Sequence, residues 1–184
     1  MYLDNNICPI IETECSSKKK FEVLDVLKNY KNEKNLNINI GVAYNPYLKN
    51  HYNICGERER IKKKFSSRLT KSIWLQFGTD IKLLEKEINF LKDSVLNNSS
   101  HSKDKNVKIF GSLLMPSKEF ISRFKFRPWK GVFISEKYLN SLDNFYAFTK
   151  DLIEMYLDNN ICPIIETECS SKKKLHDMYS LIKK

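Results

Sequence analysis

Short apolar runs alternate with longer amphipathic segments along the chain, and this alternation is the feature that most limits its fold. Short runs rich in β-branched residues predict strands, and segments with apolar residues at helical spacing predict helices. Strands are predicted at residues 7–12, 36–44, 72–77, 107–114 and 161–166. Strands that alternate with helices are parallel and joined by right-handed crossovers, so the sequence predicts an α/β fold.

Helices fill most of the intervals between these strands. Thr79 or Asp80 precedes one of them, and Pro116-Ser117 opens another, because these residue types start helices. Helices are predicted at 16–32, 57–69, 80–96, 117–123, 135–142, 143–159 and 170–184. Residues 124–135 are predicted to be irregular.

The length of the chain limits which parallel fold it can form. A closed TIM (β/α)8 barrel needs about 200–250 residues, and this chain has 184. The predicted fold is therefore a partial TIM barrel, about half of one, with an open flavodoxin-like sheet as the alternative. The strands are almost continuously apolar, which predicts a sheet that is covered on both faces.

Residues 1–20 and 155–174 are identical, letter for letter. Structural repeats diverge in sequence while they keep a pattern. This identity therefore indicates a recent duplication, an engineered fusion of two segments or an error in the assembly of the sequence. The second copy lies between two predicted helices, whereas the first begins in the middle of what is a helix in the second. We therefore treat 1–20 as a duplicated segment of uncertain origin and 21–184 as the partial-barrel domain.

The composition excludes several classes of protein. No CxxC pair occurs among the five cysteines, which excludes the common zinc and thioredoxin-like sites. The odd count predicts reduced thiols in a cytoplasmic protein. No apolar run is long enough to span a membrane, so no membrane partner is predicted. The net charge of +10 is mostly lysine spread along the chain, which favours a solvated basic surface over a nucleic-acid footprint.

Four blocks of sequence resemble the methylenetetrahydrofolate reductase family, in the family's order. They are NIGVAYNPY, ERERIKKKF, SIWLQFGTD and VKIFGSLLMPSKEF. That family has a flavin-dependent (β/α)8 barrel, and the resemblance covers the second half of it. The resemblance implies a flavoprotein oxidoreductase of one-carbon metabolism, which reduces 5,10-methylenetetrahydrofolate with electrons from NAD(P)H through FAD.

The same resemblance implies which residues contact FAD. Tyr44 ends a predicted strand, and an amphipathic ring suits a flavin. His51, Arg60 and Lys64 follow it, and Lys64 matches a family lysine that reaches the flavin phosphate.

The folate contacts implied by the resemblance are Gln76 and Lys172. An amide carries both a donor and an acceptor, which suits the edge of a pterin. Lys172 follows the last predicted strand, where the family places a basic residue near the folate's glutamate tail. Tyr44, Gln76 and Lys172 are predicted to converge at the carboxyl ends of the parallel strands, where ligands bind in such folds.

The family's first four strands have no counterpart in this sequence. They carry the family's catalytic glutamate and an aspartate that faces the flavin, so no catalytic residue is assigned here. The chain alone is expected to bind flavin weakly and to be poorly active, unless a missing N-terminal half or a second copy completes the barrel.

Two other interpretations stay open. One is a basic nucleic-acid-binding module, supported by residues 124–133 (FKFRPWKGVF), where cations and aromatic residues interleave. The other is an α/β interaction domain without catalysis. Stacking platforms for nucleic acid lie on exposed strands, whereas residues 124–133 follow a predicted helix, and this favours the folate-linked interpretation.

Overall fold

The computed structural model describes residues 40–66, 70–96 and 107–166, together with the single positions 29, 172, 176 and 180. Within these residues four strands form one sheet in the order β1-β2-β3-β4. They are β1 (Ile40–Tyr44), β2 (Thr70–Leu75), β3 (Lys108–Leu114) and β4 (Ile161–Glu166). All three neighbouring pairs are parallel, which confirms the predicted α/β class. The sheet is not closed, as expected of a partial barrel.

Helices connect the strands at nearly all the predicted places. They are α1 (His51–Ser66), α2 (Ile81–Leu91), α3 (Lys118–Phe126), α4 (Glu136–Leu139) and α5 (Leu142–Asp158). A π-helical turn at Lys92–Leu96 extends α2 to the predicted end. Positions 29, 172, 176 and 180 are also helical. The predicted strand at 7–12 lies outside the described residues.

Side-chain caps fix the starts of several helices. Asp80 accepts a hydrogen bond from the backbone N–H of Leu83 at 3.1 Å, and Ser117 accepts one from Phe120 at 3.0 Å. Such bonds satisfy backbone donors that have no partner within the helix. Both helix starts agree with the sequence prediction.

The start of α1 is the largest difference from the prediction. This helix begins at His51 rather than at residue 57. Asn50 caps it, because the Asn50 side chain accepts from Tyr52 N–H at 2.8 Å and its carbonyl accepts from Ile54 N–H at 3.0 Å. The turn-like residues before Asn50 hid this cap in the sequence. Helix α3 also extends past the predicted residue 123, to Phe126.

The described helices pack on one face of the sheet, which we call the covered face. Tyr44 of β1 donates to Glu87 of α2, and a Cβ atom on Gly111 of β3 would overlap the ring of Tyr156 in α5. The covered face consists of Val42, Tyr44, Ile73, Leu75, Ile109, Gly111, Leu113, Ile161, Pro163 and Ile165. Most of these side chains belong to the main hydrophobic core.

The alternate strand residues form the opposite face, which we call the open face. It consists of Gly41, Ala43, Ser72, Trp74, Lys108, Phe110, Ser112, Leu114, Cys162, Ile164 and Glu166. Ala43, Lys108, Cys162 and Glu166 are exposed, although Ser72 and Leu114 are buried. The prediction of a sheet covered on both faces is therefore wrong for the described part of the chain. Strand β4 pairs with β3, and only its first residue is buried.

Candidate ligand-binding site

An aromatic pair forms the centre of the open face. Trp74 of β2 and Phe110 of β3 are register partners, and their ring centroids are 4.7 Å apart. The Trp74 Nε1–H donates to Ser72 Oγ at 3.1 Å, which fixes the orientation of the indole. A Cβ atom on Gly41 would lie 2.5 Å from Nε1, so only glycine lets the indole rest against β1. The result is a half-exposed aromatic pair, with ring planes tilted by 30°, beside the exposed Ala43.

Polar side chains lie on the carboxyl side of this aromatic pair. Gln76 is half-buried and follows β2, and its backbone N–H donates to the Tyr44 carbonyl at 2.9 Å. By strand alternation its side chain continues the row of Trp74, roughly 6.6 Å further along the strand. Ser112 of β3 donates to the carboxylate of Glu166 in β4 at 2.7 Å. An amide, a hydroxyl and a carboxylate thus lie where the parallel strands end.

Residues 127–134, which we call the rim segment, cross the carboxyl ends of β1 and β2. The Asn45 side chain donates to the Gly131 carbonyl at 2.9 Å, and Thr79 N–H donates to the Phe133 carbonyl at 2.9 Å. Phe133 forms a parallel β-bridge with Gly78. These bonds hold the irregular segment against the edge of the sheet on which the candidate site lies.

Tyr44 lies on the covered face. Its hydroxyl donates to Glu87 at 2.5 Å, and Arg58 binds the same carboxylate through two nitrogens at 2.9 and 2.6 Å. Burial raises the pKa of Tyr44 well above its usual range, and the hydrogen bond to Glu87 raises it further. The flavin contact of Tyr44 stays a prediction, and it would require the ring to leave this buried position.

The other residues predicted to contact FAD are spread along α1. His51 is exposed at the first turn, 3.7 Å from Cys55 Sγ. Arg60 is mostly exposed and forms an ion pair with Glu57. Lys64 Nζ lies 3.4 Å from the Ala43 carbonyl, and burial lowers the pKa of Lys64. His51 and Lys64 are roughly 20 Å apart along the helix, so the structure does not cluster them, and their flavin contacts stay predictions.

The predicted convergence of Tyr44, Gln76 and Lys172 is only partly visible. Tyr44 and Gln76 are neighbours at the same end of the sheet, but alternation directs their side chains to opposite faces. Lys172 is exposed at a helical position, and the residues on either side of it lie outside the described part of the chain. Its contact with a folate tail stays a prediction.

Sequence reasoning missed the residues that shape the open face, namely Trp74, Phe110, Ser112 and Glu166. The signal was present in SIWLQF and KIFGSLL. In each run one set of alternate positions holds only apolar residues, and the other set holds aromatic, polar and charged residues together with Leu114. A period of two separates the two faces of a strand, and it predicts one apolar and one mixed face.

Two kinds of feature are absent from the described ranges. Within residues 40–66, 70–96 and 107–166, no three His, Cys, Asp or Glu side chains form a group that could hold a metal ion. None of the helices described in these ranges has the length and apolar character needed to cross a membrane.

Comparisons with known proteins support the fold. No protein-family model matches the chain, and no curated protein matches it either. A solved structure does match, that of an uncharacterized protein from Clostridium thermocellum that binds two copies of 5-methyl-5,6,7,8-tetrahydrofolic acid. The TM-score is 0.59 and the identity 20%, over 89% of this chain. The chain spans 58% of the length of that neighbour, and at this identity the likeness shows a shared fold.

Proposed function

We propose that this chain binds a reduced folate on the open face, with the pterin against Trp74 and Phe110. The observation that carries the proposal is the aromatic pair, with centroids 4.7 Å apart, which lies half exposed below Gln76 at the carboxyl ends of the strands. Ligands of parallel α/β folds bind at that end.

The chemistry of this face matches a pterin. A pterin is flat and gains stability by stacking on aromatic rings. Its edge carries N–H donors beside a carbonyl and a ring nitrogen, which an amide and a carboxylate recognise together. Gln76 supplies the amide. Glu166 supplies the carboxylate and now accepts from Ser112 at 2.7 Å, a bond that a pterin N–H could replace.

The Clostridium thermocellum neighbour supports the proposal because it combines the same fold with a bound reduced folate. The resemblance of this chain to methylenetetrahydrofolate reductases points to the same class of ligand through an independent observation. The neighbour concerns folate alone, whereas the resemblance concerns both folate and flavin.

The finer part of the proposal is that the chain belongs to a reductase of that family. The whole protein would then pass electrons from NAD(P)H through FAD to 5,10-methylenetetrahydrofolate. When bound, FAD would supply the hydride transfer. The resemblance assigns FAD contacts to Lys64, which is half-buried next to β1, and to His51 and Arg60, and the structure spreads these three residues along α1. None of the described residues is assigned as the acid that such a reduction requires.

Calorimetric titration with 5-methyltetrahydrofolate tests folate binding. Gln76→Ala should weaken binding about tenfold, because it removes hydrogen bonds to a buried ligand edge. Trp74→Ala should weaken binding at least as much, through loss of the stacking surface. Asn89→Ala is the matched control, since Asn89 is an exposed amide on α2, and it should bind like the wild type.

Two results would contradict the proposal. One is a wild-type chain that folds but shows no heat of binding with 5-methyltetrahydrofolate. The other is binding that neither Gln76→Ala nor Glu166→Gln weakens. An absorbance scan of the purified chain for bound flavin tests the reductase part of the proposal separately. If the chain binds folate but no flavin, the proposal of folate binding stands and the proposal of a flavin-dependent reductase fails.

A further inference from the structure

Residues 125–130 (KFRPWK) form a protruding tip where α3 ends and the rim segment begins. All six are exposed. Phe126 is 91% exposed and Trp129 is 47% exposed. Two large apolar side chains this exposed within four residues mark a candidate interaction surface.

The base of the tip is firmly packed, so the fold itself holds the exposed residues of the tip away from the core. Phe124 is buried, and the Trp129 ring lies edge-on against Phe120 and Phe124, with centroids 5.6 and 6.2 Å away. Val132 N–H donates to the Trp129 carbonyl at 3.2 Å, which closes a turn. The Gly131 carbonyl accepts from Asn45 at 2.9 Å, which anchors the other side.

The tip is also strongly basic. Three of its six residues, Lys125, Arg127 and Lys130, are cations, and none is an Asp or a Glu. The Lys125 ammonium donates to the neutral Asn140 side chain at 2.8 Å, so that contact leaves its charge uncompensated. The partner of this surface is therefore expected to be anionic.

The exposure of Phe126 distinguishes between two anionic partners. A stacking platform for single-stranded nucleic acid holds its rings against the protein with one face free. At 91% exposure Phe126 presents both of its faces, and it lies at the end of a helix rather than on a strand. A ring that projects fully from a basic surface suits insertion between lipid headgroups, where aromatic residues concentrate.

We propose that the tip docks this protein on an anionic lipid bilayer, with Phe126 and Trp129 entering the interface and Arg127 and Lys130 contacting acidic headgroups. The prediction of no membrane partner rested on the lack of a membrane-spanning run, which interfacial binding does not need. The proposal rests on the tip alone and is independent of folate binding.

Sedimentation with lipid vesicles tests this docking on the full chain. The probe is vesicles of phosphatidylcholine with about one third phosphatidylserine, compared with vesicles of phosphatidylcholine alone. Phe126→Ser should weaken binding about tenfold, because an apolar ring no longer enters the interface. Replacing Arg127 and Lys130 by Gln should weaken it about fivefold for each charge removed.

Leu157→Ser is the matched control for loss of an exposed apolar side chain. Leu157 is 55% exposed near the end of α5, which leads into β4 and therefore lies at the end of the sheet opposite the tip. This variant should bind vesicles like the wild type. Thermal melts confirm that each variant is folded, and Phe126 makes no core contact whose loss would unfold the chain.

A labelled single-stranded oligonucleotide, followed by fluorescence anisotropy, serves as the competing probe. Binding to anionic vesicles that depends on Phe126 supports the proposal. The proposal is overturned if wild-type chain ignores these vesicles, or if Leu157→Ser weakens binding as much as Phe126→Ser. It is also overturned if replacing Arg127 and Lys130 by Gln weakens vesicle binding but Phe126→Ser does not. Binding of the oligonucleotide, but not of the vesicles, through the tip would overturn it as well.

Discussion

On both the covered and the open face of the sheet, an aromatic ring packs against a glycine of a strand, but only the ring on the covered face is buried. On the covered face, Gly111 lets the ring of Tyr156 lie directly against β3. On the open face, Gly41 lets the indole of Trp74 lie against β1 in the same way. Tyr156 is fully buried by the surrounding helices, whereas Trp74 stays half exposed. An aromatic ring on a strand glycine therefore becomes core or exposed surface according to whether a second layer covers it.

The largest test of this comparison is Gly111→Ala on the covered face. The new Cβ would overlap the Tyr156 ring, which is enclosed on all sides and cannot move aside without disturbing the core. We expect a loss of about 3 kcal/mol in the free energy of unfolding, measured by urea denaturation. Gly56→Ala is the control, since nothing lies within 4 Å of its Cβ position, and in α1 it should stabilise by about 0.5–1 kcal/mol. Equal changes in the free energy of unfolding for Gly111→Ala and Gly56→Ala would show that the close approach of Tyr156 to Gly111 does not matter for stability.

A second test addresses the polar network on the covered face. Glu87 is buried and binds both Tyr44 and Arg58. Glu87→Ala leaves the Tyr44 hydroxyl buried without this acceptor, and we expect a loss of about 2 kcal/mol in the free energy of unfolding. In a double-mutant cycle, adding Tyr44→Phe should recover part of this loss. If the changes in the free energy of unfolding for Glu87→Ala and Tyr44→Phe are strictly additive, the hydrogen bond between the two side chains contributes little to stability.

Alkaline titration gives the third test. The pKa of Tyr44 is raised in the folded state, first by burial and then by Glu87, while a tyrosine in the unfolded chain ionises near pH 10. Above that pH the unfolded state has lost a proton that the folded state retains, so stability falls as pH rises. The fall is about 1.4 kcal/mol per pH unit for one such group. Tyr44→Phe should have a slope shallower by that amount above pH ~10 and the same slope as wild type below it.

The smallest effect is expected on the open face. Ser112→Ala removes the bond to Glu166, which lies at the surface. The free energy of unfolding should change by less than about 0.5 kcal/mol, because surface substitutions seldom exceed that value. A loss comparable to that of Glu87→Ala would show that the open face is a structural surface rather than a ligand surface.

Much of the fold could be predicted because local signals agree with the tertiary structure. The order of strands and helices follows from apolar runs separated by caps such as Asp80 and Ser117. The start of α1 could not be predicted as well, since its cap, Asn50, follows a stretch of turn residues. The alternation within each strand indicates which residues share a face, whereas the face that the helices cover is decided by the packing of segments distant in sequence.

Tyr44 shows what the alternation within a single strand can indicate. Family resemblance marked the end of β1, and Gln76 does lie beside it at the same edge. In IGVAY, however, the large residues Ile40, Val42 and Tyr44 alternate with Gly41 and Ala43. That alternation places Tyr44 with Val42 among the core residues, so the pattern of sizes within one strand already indicated a buried ring.

The bridge between Gly78 and Phe133 has a consequence for the order in which the chain assembles. Thr79 and Phe133 are separated by 54 residues, so their contact closes a long loop, and we expect it to form after β3, which lies within that loop, has paired with β2. The rim segment should therefore join the sheet late in folding and detach early in local unfolding. In hydrogen exchange, the Thr79 and Ser135 amides, which bond to Phe133 and Thr79, should lose protection together and well before Ile73. The rim segment would thus detach from the carboxyl edge of the sheet as one cooperative unit while the sheet itself stays folded.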